Sequence, residues 1–306
     1  MPYLALAAPS RAAVIAAANS RWDRLLEAHP DLTPAVVLQR GLIAAVLDTT
    51  AALEGGRMPK LSLPARYLAA KLTRGIPVFA GEPIPLPAPL LTAAVFRIAD
   101  ELAKGGAGDA ATHIADAIRG ERLDSTSLLT TSLAREQAAL QTGAIHLGLA
   151  PDLLWLVAEL AVSPVAHTLQ RTLLGNPSPE LHEALASWNH GYCPACGSWP
   201  ALAEVAAQHR MLRCSFCAAA WELTTYACIH CGEAGEPFVT AAPDPERKDR
   251  RLELCGSCGS YFKAVDVPEL SPFPLIAIAD METMDLDVAA VEHHYGRPPL
   301  KSFKPR

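Results

Sequence analysis

Cys193-Pro-Ala-Cys196-Gly197, Cys214-Ser-Phe-Cys217, Cys228-Ile-His-Cys231-Gly232 and Cys255-Gly-Ser-Cys258-Gly259 are the stretches that decide how this chain is read. They contain all eight of its cysteines, and every cysteine belongs to a C-x-x-C pair. Two intervening residues let both sulfurs of a pair turn toward one ion. A glycine after the second cysteine supplies a backbone that tolerates positive φ and can aim its amides at sulfur. The second pair departs from that pattern, with Ala218 where the others have glycine. Seventeen residues separate the first pair from the second, ten the second from the third, and twenty-three the third from the fourth. The longer outer gaps suit a hairpin that returns to close a four-sulfur tetrahedron. The simplest grouping is sequential, with Cys193, Cys196, Cys214 and Cys217 on one ion and Cys228, Cys231, Cys255 and Cys258 on another. An interleaved grouping is the alternative. Tetrahedral four-sulfur geometry suits zinc and mononuclear iron alike. Four protein ligands leave no open position for Lewis-acid catalysis.

Working outward, the rest of the 306-residue chain contains no cysteine. Disulfides would call for an oxidising compartment. The start, MPYLALAAPSRAAVIAAANSRWDR, has no basic opening, and its apolar stretch is broken by Pro9, Ser10 and Arg11. It does not read as a secretory signal. No run of 18 apolar residues occurs, and Leu153–Ala166, interrupted by Glu159 and Pro164, reads as a buried helix rather than a membrane span. The expectation is a soluble cytoplasmic protein with metal thiolates. Half of the residues are hydrophobic and 19% are charged, enough apolar content for a sizeable core and too much for a disordered chain. The formal net charge of −6 provides no global attraction to nucleic acid or to an anionic membrane.

Up to about Gly191 the pattern is helical and rich in alanine and leucine. Ser10 caps a first helix to about Ala28, and Thr33-Pro34 is a start signal for a second that stops at Gly55-Gly56. A short helix around Tyr67–Arg74 follows. Pro77–Pro89 holds five prolines in thirteen residues and is an extended connector. Helices resume at Leu90–Lys104, Asp109–Arg119, Ser125–Gly143, Pro151–Gly175 (kinked at Pro164) and Pro179–His190. From Tyr192 the texture changes to short strands at Trp199–Val205, Met211–Arg213, Ala220–Tyr226, Pro237–Thr240, Leu252–Leu254 and Tyr261–Val265. A last helix spans Asp280 to about His294, and the tail RPPLKSFKPR reads as a surface extension.

Other residues carry weaker signals. His230 sits inside the third knuckle and reads as an exposed bystander, since its pair already supplies two sulfurs. His190, His209, His293 and His294 lie near the cysteine module without any catalytic motif around them. Trp199 and Trp221 read as packing lids over the metal sites. Glu246-Arg-Lys-Asp-Arg-Arg251 mixes signs and reads as a solvated hairpin tip. Asp280, Glu282, Asp285 and Asp287 are explained by the dipole of the last helix.

The string Gly191-Tyr192-Cys-Pro-Ala-Cys-Gly197-Ser198, followed by Arg213-Cys-Ser-Phe-Cys217 and Trp221, resembles the FdhE-type formate dehydrogenase accessory proteins. So do Cys228-x-x-Cys231, Leu254-Cys-x-x-Cys258 with Tyr261 and Lys263, and Asp280-Met-Glu-Thr with Leu286-Asp287. The match covers about residues 190–290; the helical half is similar only in being all helical and around Arg24-Leu25. The resemblance implies a mainly α multi-helix domain over 1–186, then two small rubredoxin-like or zinc-ribbon-like β modules. These occupy 187–222 and 223–306, the second including the closing helix and tail. It further implies a non-enzymatic protein with no catalytic residues. Its eight cysteines would hold two mononuclear iron ions, zinc being the alternative or substitute ion. Its partner would be the catalytic subunit of formate dehydrogenase, met in the cytoplasm before export.

Three function classes follow from this reading. The leading one is a maturation or chaperone-like assembly factor, with self-association left open. The second is a zinc-ribbon nucleic-acid-binding or structural interaction protein, which needs a basic, aromatic-lined face. From Ala186 onward acidic residues outnumber basic ones 15 to 11, which opposes nucleic-acid binding. The third is a rubredoxin-like electron-transfer partner, which overlaps the first.

Overall fold

Ser10 opens the helical half as its position predicts. In the computed structural model its hydroxyl oxygen accepts from the Ala13 amide at 3.2 Å, and α1 runs Arg11–Ala28. The structure describes residues 3–6, 9–58, 60–244, 246–301 and 303. The described residues of Pro9–Ser62 and Phe79–Leu169 form one unit. Those of 1–8, Leu63–Val78 and Gln170–Phe303 form the other.

In the helical unit, α2 (Thr33–Ala52) starts one step differently from the expectation. Pro30–Leu32 makes a single tight turn, and the Thr33 hydroxyl donates to the Pro30 carbonyl at 2.6 Å instead of capping the helix. The helix then widens over Leu53–Arg57 and ends where Gly56 takes φ 97°. The short α3 (Ala65–Thr73) belongs to the other unit. Past the proline-rich connector come α4 (Ala88–Leu102) and α5 (Gly108–Arg119). The helix expected over Ser125–Gly143 is two helices, α6 (Ser125–Leu133) and α7 (Gln137–His146). Arg135 breaks it with φ 59°, its guanidinium bonding Glu159 at 2.7 Å and lying 4.7 Å from the Trp155 ring centre. A tertiary contact overrides local helix propensity here.

α8 (Pro151–Leu174) runs through Pro164 as one element. Proline cannot donate to the Leu160 carbonyl, and the Ser163 hydroxyl donates to it instead at 3.1 Å. Val157, Ala158, Ala161, Val162, Val165 and Ala166 on this helix are fully buried. Among the described residues two helical stretches, 30–57 and 151–174, are long and apolar enough to cross a membrane. Burial reaches 67% in the second and 44% in the first, and an apolar core helix meets the same criteria.

In the other unit α3 packs on α9 (Pro179–Ala186). Among the described residues the strands are β1 (Tyr3–Leu4), β2 (Leu202–Ala206), β3 (His209–Arg213), β4 (Ala220–Trp221), β5 (Phe238–Ala241), β6 (Arg250–Cys255) and β7 (Ser260–Asp266). They form one sheet in the order β1-β4-β3-β2-β7-β6-β5. Every pairing is antiparallel except β2 with β7, which sets Ala203 beside Ala264 and Val205 beside Asp266. That parallel seam joins the two cysteine ribbons into a continuous sheet. The closing helix is also divided, into α10 (Ile276–Met281) and α11 (Met284–Glu292), with the Thr283 hydroxyl donating to the Ala279 carbonyl at 2.9 Å between them. Leu286 and Ala290 of α11 pack with Leu252 and Tyr261 of the second ribbon.

The tail stays at the surface over its described residues but is anchored there, with Arg297 paired to Asp280 and Asp287 and the residue before it bonded to the second ribbon. The Gly296 amide donates to the Gly259 carbonyl at 2.9 Å and the Tyr261 amide to the Gly296 carbonyl at 3.2 Å. Ser302 and Lys304–Arg306 lie outside the described residues.

A buried ion pair lies beside the seam. The Glu204 and Arg213 side chains are both 0% exposed and are paired. Glu204 also accepts from the Ser271 amide at 2.9 Å, and Arg213 donates to the Ser271 carbonyl at 2.7 Å. Removing one member of such a pair leaves an uncompensated charge in a dry site. Glu204→Ala should lower stability by about 3–5 kcal/mol. Glu204→Leu combined with Arg213→Met should lose clearly less, as read by denaturant unfolding of the metal-loaded protein; equal losses would refute the uncompensated-charge account.

Candidate metal centres

Each C-x-x-C pair sits in a tight turn closed by a backbone hydrogen bond from the residue after the second cysteine. Gly197 donates to Cys193, Ala218 to Cys214, Gly232 to Cys228 and Gly259 to Cys255, all at 2.9 Å. The donors take φ values of 82°, 61°, 81° and 66° respectively. Ala218, the departure noted in the sequence, therefore adopts the same left-handed turn as the three glycines, at a steric cost that glycine avoids. The fourfold repetition shows that the turn is a requirement of the knuckle rather than of the glycine.

The turns bring the eight sulfurs into two groups. Cys193 Sγ lies 3.5 Å from Cys217 Sγ, and Cys196 Sγ 3.5 Å from Cys214 Sγ. In the second group Cys228–Cys258 and Cys231–Cys255 are 3.7 and 3.6 Å apart. Within each group the ligand atoms lie within 4.8 Å of one another. The grouping is the sequential one. A tetrahedron with metal–sulfur bonds of about 2.3 Å has edges of about 3.8 Å, whereas a disulfide needs about 2.05 Å. The sulfur spacing therefore fits an ion at each centre, and all eight cysteines are free of disulfides.

The electrostatics agree. Burial, together with the neighbouring thiols, pushes Cys193 and Cys217 well above the ordinary thiol range. Burial likewise raises Cys228. A dry cluster of thiols releases its protons only when a cation takes their place. Burial would also raise Cys258, but hydrogen bonds from the Ser260 hydroxyl and backbone bring it down to about 7. Ser260 Oγ is 3.3 Å from Cys258 Sγ, and at the equivalent place in the first ribbon Ser198 Oγ is 3.2 Å from Cys196 Sγ.

The centres differ in enclosure. All four cysteines of the first are buried, whereas Cys231 and Cys258 of the second are exposed. Around the first, Phe216 and Trp221 are 1% exposed, and the Trp221 indole donates to the His190 carbonyl at 3.1 Å. Trp199 is half-buried, with its indole N–H on the Pro299 carbonyl at 2.9 Å and its ring edge-on to His230. His230 is not the exposed bystander of the sequence reading. Burial holds its imidazole down to about 4.

The acidic residues near the last helix also do more than offset its dipole. Lys263, 0% exposed, reaches Asp280 at 2.6 Å and Asp287 at 2.7 Å. Arg297 meets the same two carboxylates at 3.3 and 2.8 Å, and the Tyr261 hydroxyl donates to Asp287 at 2.8 Å. A lysine inside the otherwise apolar stretch Tyr261–Val265 is the sequence signal for this cluster. His209 lies 3.4 Å from Glu222, and His293 and His294 are exposed. In the mixed-sign run, Arg250 and Arg251 pair with Asp285 and Asp266.

Fold and site define a class: a helical unit joined in one chain to a pair of fused four-cysteine ribbons able to hold two metal ions. No family model matches the chain. The chain is 28% identical over 116 residues to a protein FdhE homolog of Aquifex aeolicus, a match covering 35% of this chain and 40% of that one. It is 29% identical over 119 residues to a protein FdhE homolog of Haemophilus influenzae, covering 38% and 39%. A third, from Edwardsiella ictaluri, is 30% identical over 115 residues, covering 36% and 37%. These matches span about two-fifths of the relatives' length. The crystal structure of the FdhE protein from Pseudomonas aeruginosa superposes with a TM-score of 0.58 at 24% identity, over 99% of this chain and 98% of that one. The resemblance to FdhE proteins read from the sequence therefore holds, and the fold is shared along the whole chain.

The unequal enclosure makes a prediction about metal exchange. With both centres loaded, a chelator should strip the ion bound by Cys228, Cys231, Cys255 and Cys258 first, and Cys231 and Cys258 should be the first thiols alkylated as it leaves. Cys193→Ala should lose about half of the bound metal if the centres load independently. Metal analysis with mass-spectrometric mapping of alkylated peptides checks both, and simultaneous loss from the two centres would contradict the asymmetry.

Proposed function

We propose that this chain is an accessory protein for the formation of formate dehydrogenase, acting in the cytoplasm on the catalytic subunit before export. The observation that carries this reading is the pair of four-cysteine centres set in a fold shared end to end with an FdhE protein. The centres are closed: four sulfurs surround each ion position and no fifth protein group is needed. That suits a binding or electron-exchanging protein better than a hydrolytic or Lewis-acid enzyme. On this reading Cys193, Cys196, Cys214, Cys217, Cys228, Cys231, Cys255 and Cys258 are metal ligands, and the ions are iron, with zinc able to substitute. The exposed edge of the second centre also favours a role for it in electron exchange, the rubredoxin-like alternative, whereas the enclosed first centre suits an architectural ion.

The test is co-purification of the tagged chain with a formate dehydrogenase catalytic subunit under oxidising and reducing conditions. It is paired with metal analysis and absorption spectra of protein purified without oxygen. The expected result is retention of the subunit in at least one redox state, with two iron ions per chain and a ferric–thiolate absorption that bleaches on reduction. Absence of association in both states would overturn the accessory reading. Zinc in the anaerobic protein would overturn the iron assignment alone.

A further inference from the structure

The segment after α11 crosses from one ribbon to the other. At Gly296 it is bonded to the backbone of Gly259 and Tyr261, beside the second centre. Over 297–301 it continues without helix or strand, held by aromatic side chains of the first ribbon. The Trp199 indole donates to the Pro299 carbonyl at 2.9 Å. The Lys301 ammonium lies 4.5 Å from the Tyr192 ring centre, a cation–π distance. The Phe303 ring lies 4.9 Å from the Tyr192 ring. It also rests on Gly197 of the first knuckle, where a Cβ would come within 2.6 Å of Phe303 and 3.1 Å of Pro77. Pro298 and Leu300 are only half-buried.

This is the way aromatic grooves hold proline-containing extended peptides: an indole N–H on a backbone carbonyl, with flanking pockets reading alternate side chains. Proline lowers the entropy lost on docking by keeping the segment extended in advance. The groove also has a charge preference. Lys301 enters a cleft of about 370 Å³ that runs along Cys228 and Cys231 and is walled by His190, Tyr192, Trp199 and His230. Four thiolates around a divalent or trivalent ion keep a net negative charge, so the wall formed by Cys228 and Cys231 favours a cation.

We infer that residues 298–301 and 303 are the internal occupant of a recognition groove, and that the groove takes an extended, cationic, proline-containing segment of a partner protein in their place. The segment is covalently tethered, so a free peptide competes against a high effective concentration and the closed state prevails until a better-matched partner displaces it. The inference does not depend on the formate dehydrogenase assignment, and its test needs only this chain and a peptide.

The full chain carrying Lys301→Ala with Phe303→Ala frees the groove while leaving Arg297 on its carboxylates. A fluorescein-labelled peptide of the Gly296–Arg306 sequence is titrated by anisotropy against this variant and against the unaltered chain, both metal-loaded. The variant should bind at least tenfold more tightly. Trp199→Phe added to it keeps an aromatic ring, removes the N–H, and should weaken binding about fivefold. A peptide carrying Lys301→Glu should not compete. Metal content and the melting midpoint certify each variant. If the double variant fails that check, Lys301→Ala alone replaces it, with at least a threefold gain expected. A certified variant that binds the peptide no better than the unaltered chain, or indifference to Trp199→Phe, would overturn the inference.

Discussion

The structure of the cysteine unit depends on one constraint: four sulfurs must be held about one tetrahedral edge apart around each ion position. Four buried thiols at such spacing repel one another's ionisation, and only a cation makes them a stable set. The chain meets the constraint with one device used four times, a left-handed residue directly after the second cysteine whose amide closes the turn on the first. Ala218 shows how strict the device is, because the backbone keeps the turn even where the side chain opposes it. Each ribbon is too small to build an apolar core of its own, so ion and turn carry what packing carries elsewhere.

A second layer of organisation is electrostatic. The parallel pairing of β2 with β7 fuses the ribbons, and beside it Glu204 ties β2 to Arg213 on β3 and to the backbone at Ser271. On the second ribbon Lys263 plays a similar part, drawing Asp280 and Asp287 from the closing helices onto β7. Arg297 adds a second cation to the same carboxylates and so fixes where the final segment leaves α11. Glu204, Arg213 and Lys263 are fully buried, and each is tolerated there only because its partners are present.

How much of this was legible in the sequence follows from the range of each interaction. The knuckles were legible because their ligands, turn and closing hydrogen bond lie within five residues. The helix starts at Ser10 and Pro179 and the connector at 77–89 were legible because serine caps and prolines act locally. The hairpin between β2 and β3 was not signalled. It turns on Ala207 and Gln208 at φ 47° and 70°, a geometry that asparagine and glycine normally announce. The strand Tyr3–Leu4 gains its identity only from Trp221 and Ala220, more than two hundred residues away. The break at Arg135 needed Glu159 and Trp155 to exist. The grouping of sulfurs could be argued from gap lengths, but the fusion of the two ribbons could not, because a parallel seam leaves no local mark in either strand.

The two centres share a turn, a ligand set and a serine beside one sulfur, yet they are not equivalent in their surroundings. All four cysteines of the first are buried, while the second presents Cys231 and Cys258 to solvent. Duplicated sites that served only to hold a small domain together would both gain from enclosure, since exposure invites ligand exchange and oxidation. An open edge on one of them, next to an aromatic cleft, gives that centre access to something outside the chain. The segment from Gly296 to Phe303 sharpens the point. It is bonded to the knuckle of the open centre at one end and packed on the knuckle of the enclosed centre at the other. Displacing the part of it that lies in the aromatic groove would uncover Gly197 of the first knuckle and take Lys301 out of the cleft along Cys228 and Cys231, so occupancy of the groove and the surroundings of both cysteine centres are coupled.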